Sequence, residues 1–167
     1  VNGISKSYAM TGWRIGYTAA NEHVIEGMNK IQSHSTSHPS SVSQFAAIEA
    51  LTGPQYVINE MFVEFRKRRE FLYNELVSIK GITFYKQEGA FYLFPNISTF
   101  MNTHSDILKV ETSFDFAMHL LYEAHIAVVP GNAFGAEGYL RISYATSMEN
   151  LKEAVIRLKK ALAKLVV

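Results

Sequence analysis

The segment SKSYAMTGWRIGY, residues 5–17, decides how this chain is interpreted, because it places two cationic side chains among glycines and hydroxyl groups. Lys6 lies between two serines, and Arg14 follows it between Gly12 and Gly16. The glycines favour extended chain with tight turns over a regular helix. A cation in such a segment need not be a solvated residue of an exposed helix. We therefore predict that Lys6 and Arg14 both point at a specific partner.

The overall composition narrows the class of protein. The chain has 167 residues, 48% of them hydrophobic and 19% charged, as in an ordinary globular protein. Its apolar runs are shorter than the roughly 18 residues that span a bilayer, so we predict no membrane partner. Zero cysteines exclude disulfides and thiolate chemistry and agree with a reducing, cytoplasmic location. A net charge of +1 gives no reason to expect nucleic acid.

Hydrophobic periodicity predicts a mixture of helices and strands. We expect helices over residues 21–32, 41–50, 54–78 and 113–124, and a last helix that begins with a capping box of Thr146 and Glu149. We expect strands over 82–86, 91–94, 126–129 and 138–145, the first two pairing with each other, and irregular loops over 33–39 and 96–112. This order predicts an α/β fold, with an α+β domain from about residue 33 onward.

A third cation, Arg141, lies in the middle of the predicted strand GYLRISYA, residues 138–145. Strand alternation puts Arg141 on the face opposite Leu140 and Ile142. A guanidinium at such a position needs an anion, and its planar fork matches a carboxylate. Two interpretations stay open from the residues alone: an ion pair with a nearby Asp or Glu, or a ligand carboxylate. The glycine-rich loop before the strand favours a cleft, and hence the second.

The first segment closely resembles the cofactor-lysine segment of the fold-type I aminotransferases that use pyridoxal 5'-phosphate, the aspartate and aromatic aminotransferase relatives, whose pattern is SK-x-(Y/F)-x-M-x-G-W-R-x-G-Y. Other stretches resemble the same family in the same order: QSHSTSHPSSVSQFAAIEAL at 32–51, EGAFYLFPNIS at 88–98 and PGNAFGAEGYLRISYA at 130–145. With the last helix, the resemblance covers essentially the whole chain.

The resemblance implies roles for individual residues. Lys6 is the catalytic residue and forms the Schiff base with the cofactor, Arg14 binds the cofactor phosphate, and Arg141 binds the substrate α-carboxylate. Ser35 lies in a loop that, in this family, reaches the cofactor phosphate of the neighbouring subunit, which implies a homodimer. The implied substrates are an amino acid and a 2-oxo acid. Position 3 is glycine, whereas many relatives carry a serine three residues before the lysine.

The resemblance also implies that the chain is a fragment: residues 1–32 as the end of a large cofactor-binding domain and residues 33–167 as the small C-terminal domain. The acid that pairs with the cofactor's pyridinium nitrogen lies outside it, so we expect the isolated chain not to catalyse transamination. Two alternatives stay open, a carbon–sulfur lyase on the same fold and a non-catalytic dimerising domain. We predict no metal site, because His34 and His38 lack a third ligand.

Overall fold

A computed structural model describes residues 1–106 and 109–165 of the chain. The chain forms two compact units, Val1–Phe62 and Val63–Val167, and the boundary between them falls within one long helix. The mixture of helices and small antiparallel sheets agrees with the predicted α/β class. The predicted domain boundary after residue 32 concerns the parent protein and stays a prediction.

The first unit begins with a short looped segment. Strand β1 (Asn2–Gly3) is followed by α1 (Ile4–Ser7), a single helical turn, then by a 3-10 turn (Thr11–Trp13) and by β2 (Gly16–Tyr17). β1 and β2 pair antiparallel. The predicted tight turns are present, but the predicted extended conformation is wrong at Lys6, which lies on α1. The turn forms because the Tyr8 N–H donates to the Ile4 carbonyl at 3.2 Å, with Ile4 only 1% exposed.

Two further helices, α2 (Glu22–Ser35) and α3 (Ser41–Thr52), complete most of this unit. α3 begins as predicted, with the Ser40 hydroxyl accepting a hydrogen bond from the backbone N–H of Ser43. α2 is longer than predicted, so Ser35 is the last residue of a helix and not a loop residue. The hydroxyl of Ser35 donates to the carbonyl of Gln32, three residues earlier, at 3.4 Å. Hydroxyl-rich composition therefore did not mark the end of the helix, because serine can bond back within it.

In the second unit, three helices pack around one hydrophobic core. They are the later turns of α4 (Tyr56–Val77), α5 (Ser113–Ala124) and α6 (Met148–Leu162). The capping box predicted for the last helix is wrong, because the N-cap of α6 is Ser147 rather than Thr146. The core side chains that these helices bury include Leu72, Leu76, Phe116, Leu120, Leu151, Val155 and Leu158.

A three-stranded antiparallel sheet covers this core, in the order β3 (Tyr92–Leu93), β7 (Leu140–Ser143), β6 (Val129–Pro130). The predicted hairpin of 82–86 with 91–94 is wrong: β3 pairs with β7, and the isolated bridge from Thr83 runs to Asn96, two residues beyond the second predicted strand. The pairing of β3 with β7 places Leu93 and Leu140 together in the core, at 0% and 1% exposure. This burial outweighs the local preference for a hairpin.

Two short paired strands lie within the region 96–112, which was predicted to be an irregular loop. β4 (Thr103–His104) and β5 (Lys109–Val110) pair antiparallel, with Thr103 opposite Val110. Residues 107 and 108 of that predicted loop lie outside the described residues. Across the described parts of the chain, the helices are too short or too polar to cross a membrane.

Candidate cofactor and carboxylate sites

Lys6 and Arg14 lie on one loop of the first unit. The pairing of β1 with β2 closes this loop, and the α1 turn that carries Lys6 contacts the 3-10 turn that precedes Arg14. Both side chains are exposed. The structure therefore places the two predicted cofactor residues on the same short, closed segment.

Arg14 lies at the end of a turn, and its side chain bonds back to that turn. Arg14 ends the 3-10 turn in the left-handed conformation, with φ 51° and ψ 50°. Its Nη1 donates to the carbonyl of Thr11 at 3.1 Å, so part of the guanidinium is used to hold the turn. A guanidinium has five N–H donors, and the remaining ones can still meet an anion. The conformation is uncommon for a residue with a side chain, and such strain is often found at functional sites.

The glycines at the two ends of the loop differ in whether a side chain would fit at their positions. A Cβ atom on Gly16 would lie 2.9 Å from the carbonyl oxygen of Asn2, which is closer than real side chains approach. A Cβ atom on Gly3 would meet its nearest neighbour, the Ile15 carbonyl oxygen, at an ordinary 3.8 Å. Only the glycine at 16 is therefore required for the close approach of β1 and β2.

A hydrogen-bond chain ties the Lys6 segment to the end of α3. The Tyr8 hydroxyl donates to Oε1 of Gln55 at 3.1 Å. The side-chain amide of Gln55 in turn donates to the carbonyls of Ala50 and Gly53, at 3.1 and 2.7 Å. These bonds fix the residue that lies two positions after Lys6, and with it the end of the α1 turn.

The structure gives less support to ligand binding by Ser35 and the two histidines. Ser35 is exposed at the C-terminal end of α2, where the helix dipole is negative and disfavours a phosphate. His34 lies on the same helix, whereas His38 lies beyond it, with Nδ1 at 2.8 Å from the Pro39 carbonyl oxygen. Among residues 1–106 and 109–165, no group of three or more His, Asp or Glu side chains could hold a metal ion.

Arg141 lies on the outer face of the sheet in the second unit, against two aromatic rings. Its Cζ atom is 4.5 Å from the ring centroid of Tyr92 and 4.8 Å from that of Phe134, above each ring. Tyr92 reaches it from the neighbouring strand, because Tyr92 pairs with Ser143, two residues further along β7. Phe134 reaches it from the 3-10 turn Gly131–Phe134 that precedes the strand. The side chain is thus held by cation–π contacts.

Among residues 1–106 and 109–165, nothing supports the interpretation of Arg141 as half of a structural ion pair. Within the described residues, its charged group has neither a carboxylate partner nor a hydrogen bond, and its contacts are the two rings. Other cations of the unit do find acids, such as Lys159 with Glu75 at 2.7 Å. Arg141 therefore has a half-buried guanidinium whose N–H donors remain available for an anion.

The turn that carries Phe134 is tightly built. A Cβ atom on Gly131 would lie 2.1 Å from the carbonyl oxygen of Ala136, so only glycine fits there. The N–H of Gly131 donates to the Tyr139 carbonyl at 2.8 Å, and the N–H of Asn132 donates to the hydroxyl of the buried Ser113 at 3.2 Å. The backbone of the turn that carries Phe134 is therefore fixed.

A carboxylate fastens the far end of this turn. The backbone N–H of Ser113 donates to the Glu137 carboxylate, and the N–H of Gly138 donates to the same oxygen at 3.1 Å. Chiefly because of the bond from the Ser113 N–H, the pKa of Glu137 lies below the usual value for a glutamate, although partial desolvation opposes the shift. The charged form of Glu137 thus links the start of α5 to the loop before β7.

Tyr92 and Phe134 were not predicted as site residues. Tyr92 was assigned to a hairpin with residues 82–86, and only its true pairing with β7 brings it onto the face of Arg141. With that pairing, strand alternation alone would have found it. Nothing in the sequence around Phe134 signals a contact with Arg141, because that contact depends on the fold of the 3-10 turn.

Known proteins with similar sequences include aminotransferases. The profile of the family "Aminotransferase class I and II" matches residues 1–158. A "Probable aspartate/prephenate aminotransferase" of Rickettsia felis is 52% identical over 162 residues, covering 96% of this chain and 40% of the relative. An "Aspartate aminotransferase" of Bacillus sp. strain YM-2 is 46% identical over 160 residues, with coverage of 96% and 40%. The chain thus spans about 40% of the length of these relatives.

Solved structures show the same relationship. The aspartate aminotransferase of Rhizobium meliloti superposes with a TM-score of 0.92 at 44% identity, over 98% of this chain and 41% of that one. The aromatic aminotransferase of Pyrococcus horikoshii gives 0.84 at 41% identity, over 96% and 41%. The fold is that of part of a fold-type I aminotransferase. The chain belongs to the class I and II aminotransferase family, which confirms the resemblance seen in its motifs.

Proposed function

We propose that this chain is part of an aminotransferase that uses pyridoxal 5'-phosphate and moves an amino group between an L-amino acid and a 2-oxo acid. The observation that carries the proposal is the closed loop of the first unit, where Lys6 and Arg14 occupy neighbouring turns. Family membership over residues 1–158 supports it. The carbon–sulfur lyase and the non-catalytic domain remain alternatives that a direct assay must exclude.

The residues on this loop fit the proposed cofactor by their chemistry. A primary amine can bond covalently to an aldehyde carbon, and Lys6 supplies an exposed one. A phosphate needs a nearby cation with several N–H donors, and Arg14 supplies a guanidinium. When bound, the cofactor acts as an electron sink for the substrate's Cα. Lys6 and Arg14 are therefore the proposed covalent and phosphate contacts.

Within the reaction, each residue of the chain has a separate task. With the cofactor bound, the amine of Lys6 would remove the proton from the substrate Cα and would return it to the aldehyde carbon of the cofactor. Arg14 holds the phosphate end in place. Arg141 binds the substrate α-carboxylate and so orients the Cα–H bond that is to break. The exposed, half-used guanidinium of Arg14 and the available donors of Arg141 suit these tasks.

Ser35 is a further proposed contact to the cofactor phosphate of a neighbouring subunit. Its hydroxyl is exposed but donates to the Gln32 carbonyl at 3.4 Å, a long bond that rotation about the side chain would release. Because the helix end carries a negative dipole, we expect a small effect from Ser35→Ala, less than that of Arg14→Gln on cofactor affinity.

We also propose that the protein is a homodimer in the reducing cytoplasm, where its cysteine-free chain needs no disulfides. The apolar faces of α2 and α3 support association, since Ile31 is 74% exposed, Phe45 75% and Ile48 57%. Gel filtration of the purified chain tests this. Elution at about twice its 18.8 kDa mass supports a dimer, and elution at the monomer mass contradicts one formed by this part of the protein.

A hybrid enzyme tests the proposed activity. The matching 40% of the Rickettsia felis relative is replaced by this chain, and amino transfer from aspartate to a 2-oxo acid is measured. We expect the hybrid to be active, as the unaltered relative is, and we expect Lys6→Ala to abolish the activity of the hybrid. A folded hybrid that instead releases a thiol, pyruvate and ammonia from a thioether of cysteine would support the lyase, because that reaction breaks a carbon–sulfur bond. A folded hybrid that binds the cofactor but is inert would contradict the proposal.

A further inference from the structure

We propose that Tyr92 and Phe134 are positioning residues for Arg141: their ring faces fix the guanidinium so that its N–H donors meet a substrate carboxylate. This inference rests on the proposed function of Arg141 as the carboxylate-binding residue. It adds the reason why Arg141 can hold one orientation without an acidic partner.

The contacts of Arg141 provide the first argument. A long arginine side chain loses considerable rotamer entropy when it is fixed, and a salt bridge is the usual way to offset that loss. Here the guanidinium carbon lies 4.5 Å from one ring centroid and 4.8 Å from the other. Ring faces attract the cation without accepting its donors as an oxygen would. The rings therefore restrain the guanidinium and leave its donors for a ligand.

The support behind each ring provides the second argument. Phe134 is held by a turn in which Gly131 cannot be replaced, and its ring lies edge-on to Phe94, with centroids 6.0 Å apart at 81°. Phe94 itself stacks on Tyr139, at 5.2 Å and 12°. Tyr92 is anchored in β3, opposite Ser143. Phe134 thus belongs to a row of packed aromatic rings with Phe94 and Tyr139, whereas Tyr92 is held by its strand.

The use of aromatic rings instead of acidic side chains also affects which ligands can bind Arg141. An acid at the position of either ring would form a permanent ion pair with Arg141 and compete with the substrate. Aromatic restraint avoids that competition. We therefore expect the site to bind small molecules that carry a free carboxylate.

The test uses the full chain labelled with nitrogen-15, in which the Nε–Hε signal of Arg141 is followed by NMR. Pyruvate is the probe, and methyl pyruvate, which lacks the carboxylate, is the matched control ligand. Tyr92→Leu and Phe134→Leu each remove one ring. Tyr92→Phe keeps the ring, and Phe94→Leu removes an aromatic neighbour without removing a ring over Arg141. Thermal melting checks that every variant is folded.

We expect the Arg141 signal of the free chain to carry a ring-current shift that falls in each leucine variant at 92 or 134. We expect both variants to bind pyruvate about fivefold more weakly, since one cation–π contact at a partly exposed site is worth about 1 kcal/mol. Tyr92→Phe should bind pyruvate with wild-type affinity. Phe94→Leu should weaken pyruvate binding less than Phe134→Leu does.

The outcomes separate this inference from the function on which it rests. If Arg141→Gln leaves pyruvate affinity unchanged, or if the wild-type chain binds methyl pyruvate equally well, the role of Arg141 in carboxylate binding is wrong and the inference falls with it. If Arg141→Gln abolishes binding while folded Tyr92→Leu and Phe134→Leu variants match the wild type in affinity, the function stands and only the positioning role is overturned.

Discussion

Gly3 and Gly16 lie directly opposite each other in the pair of β1 with β2, and this pairing closes the loop that carries Lys6 and Arg14. The two glycines are not equivalent. At Gly16 a side chain would collide with the Asn2 carbonyl oxygen, whereas at Gly3 there is ordinary van der Waals space. The geometry of the proposed cofactor site therefore depends on one glycine of the pair.

Replacing Gly16 should open this loop. We expect Gly16→Ala to push β2 away from β1, because the new Cβ atom would lie only 2.9 Å from the Asn2 carbonyl oxygen. Covalent labelling of Lys6 by pyridoxal 5'-phosphate and borohydride should then fall several-fold. Gly3→Ala is the matched control and should label like the wild type, with its Cβ atom at 3.8 Å. Equal labelling of the two variants would show that the pairing does not shape the site.

The cap of α6 gives a prediction about stability. The Ser147 hydroxyl accepts from the backbone N–H of Asn150 at 3.2 Å, so Ser147→Ala should lower the free energy of unfolding. We expect a loss of about 1 kcal/mol in urea denaturation. Thr146→Ala should cost less, because the Thr146 hydroxyl accepts only from the Asn150 side chain, at 3.0 Å. A larger loss for Thr146→Ala would restore the capping box that the sequence predicts.

A buried tyrosine supports the segment before Tyr92. The Tyr144 hydroxyl donates to the Ala90 carbonyl at 2.7 Å, and burial raises the pKa of this phenol. Ala90 has φ 58°, a strained conformation that the hydrogen bond helps to hold. We expect Tyr144→Phe to cost about 1 kcal/mol in urea denaturation. An unchanged unfolding midpoint would mean that this bond does not stabilise the segment.

The lowered pKa of Glu137 predicts a dependence on acid. A carboxyl group with a lowered folded-state pKa stabilises the fold above its unfolded pKa, and this stabilisation is lost as the pH falls through the folded pKa. Glu137→Gln should remove this contribution, so wild type and variant should differ in melting temperature at neutral pH and converge in acid. Glu88→Gln, at an exposed position with no ion pair in the described residues, is the control. A constant difference between wild type and Glu137→Gln at all pH values would contradict the assignment.

Local sequence patterns predicted the features that depend on neighbouring residues. The helices predicted over 41–50 and 113–124 are present as α3 and α5, and their caps, Ser40 and Thr112, bond to backbone within one turn. The face occupied by Arg141 follows from strand alternation in the same way. The resemblance of the motifs supplied the family, because the spacing of lysine, glycines and arginine in residues 5–17 is far more specific than any one residue.

Features that depend on distant residues were missed. The partner of β3 is β7, about fifty residues away, and a pattern of alternation cannot choose between two possible partners. The end of α2 was placed too early, because serines that bond back to their own helix look like a loop in sequence. The two rings over Arg141 come from separate elements, so only the assembled sheet and turn reveal them.

The most direct measurement of the central claim is the site of covalent labelling. The purified chain is mixed with pyridoxal 5'-phosphate, reduced with borohydride and mapped by peptide mass spectrometry. The account predicts that the cofactor's mass is added selectively at Lys6 and that Arg14→Gln weakens this labelling. Labelling spread evenly over the surface lysines, or selective at another lysine, would contradict the assignment of Lys6 and Arg14 as the cofactor site of this chain.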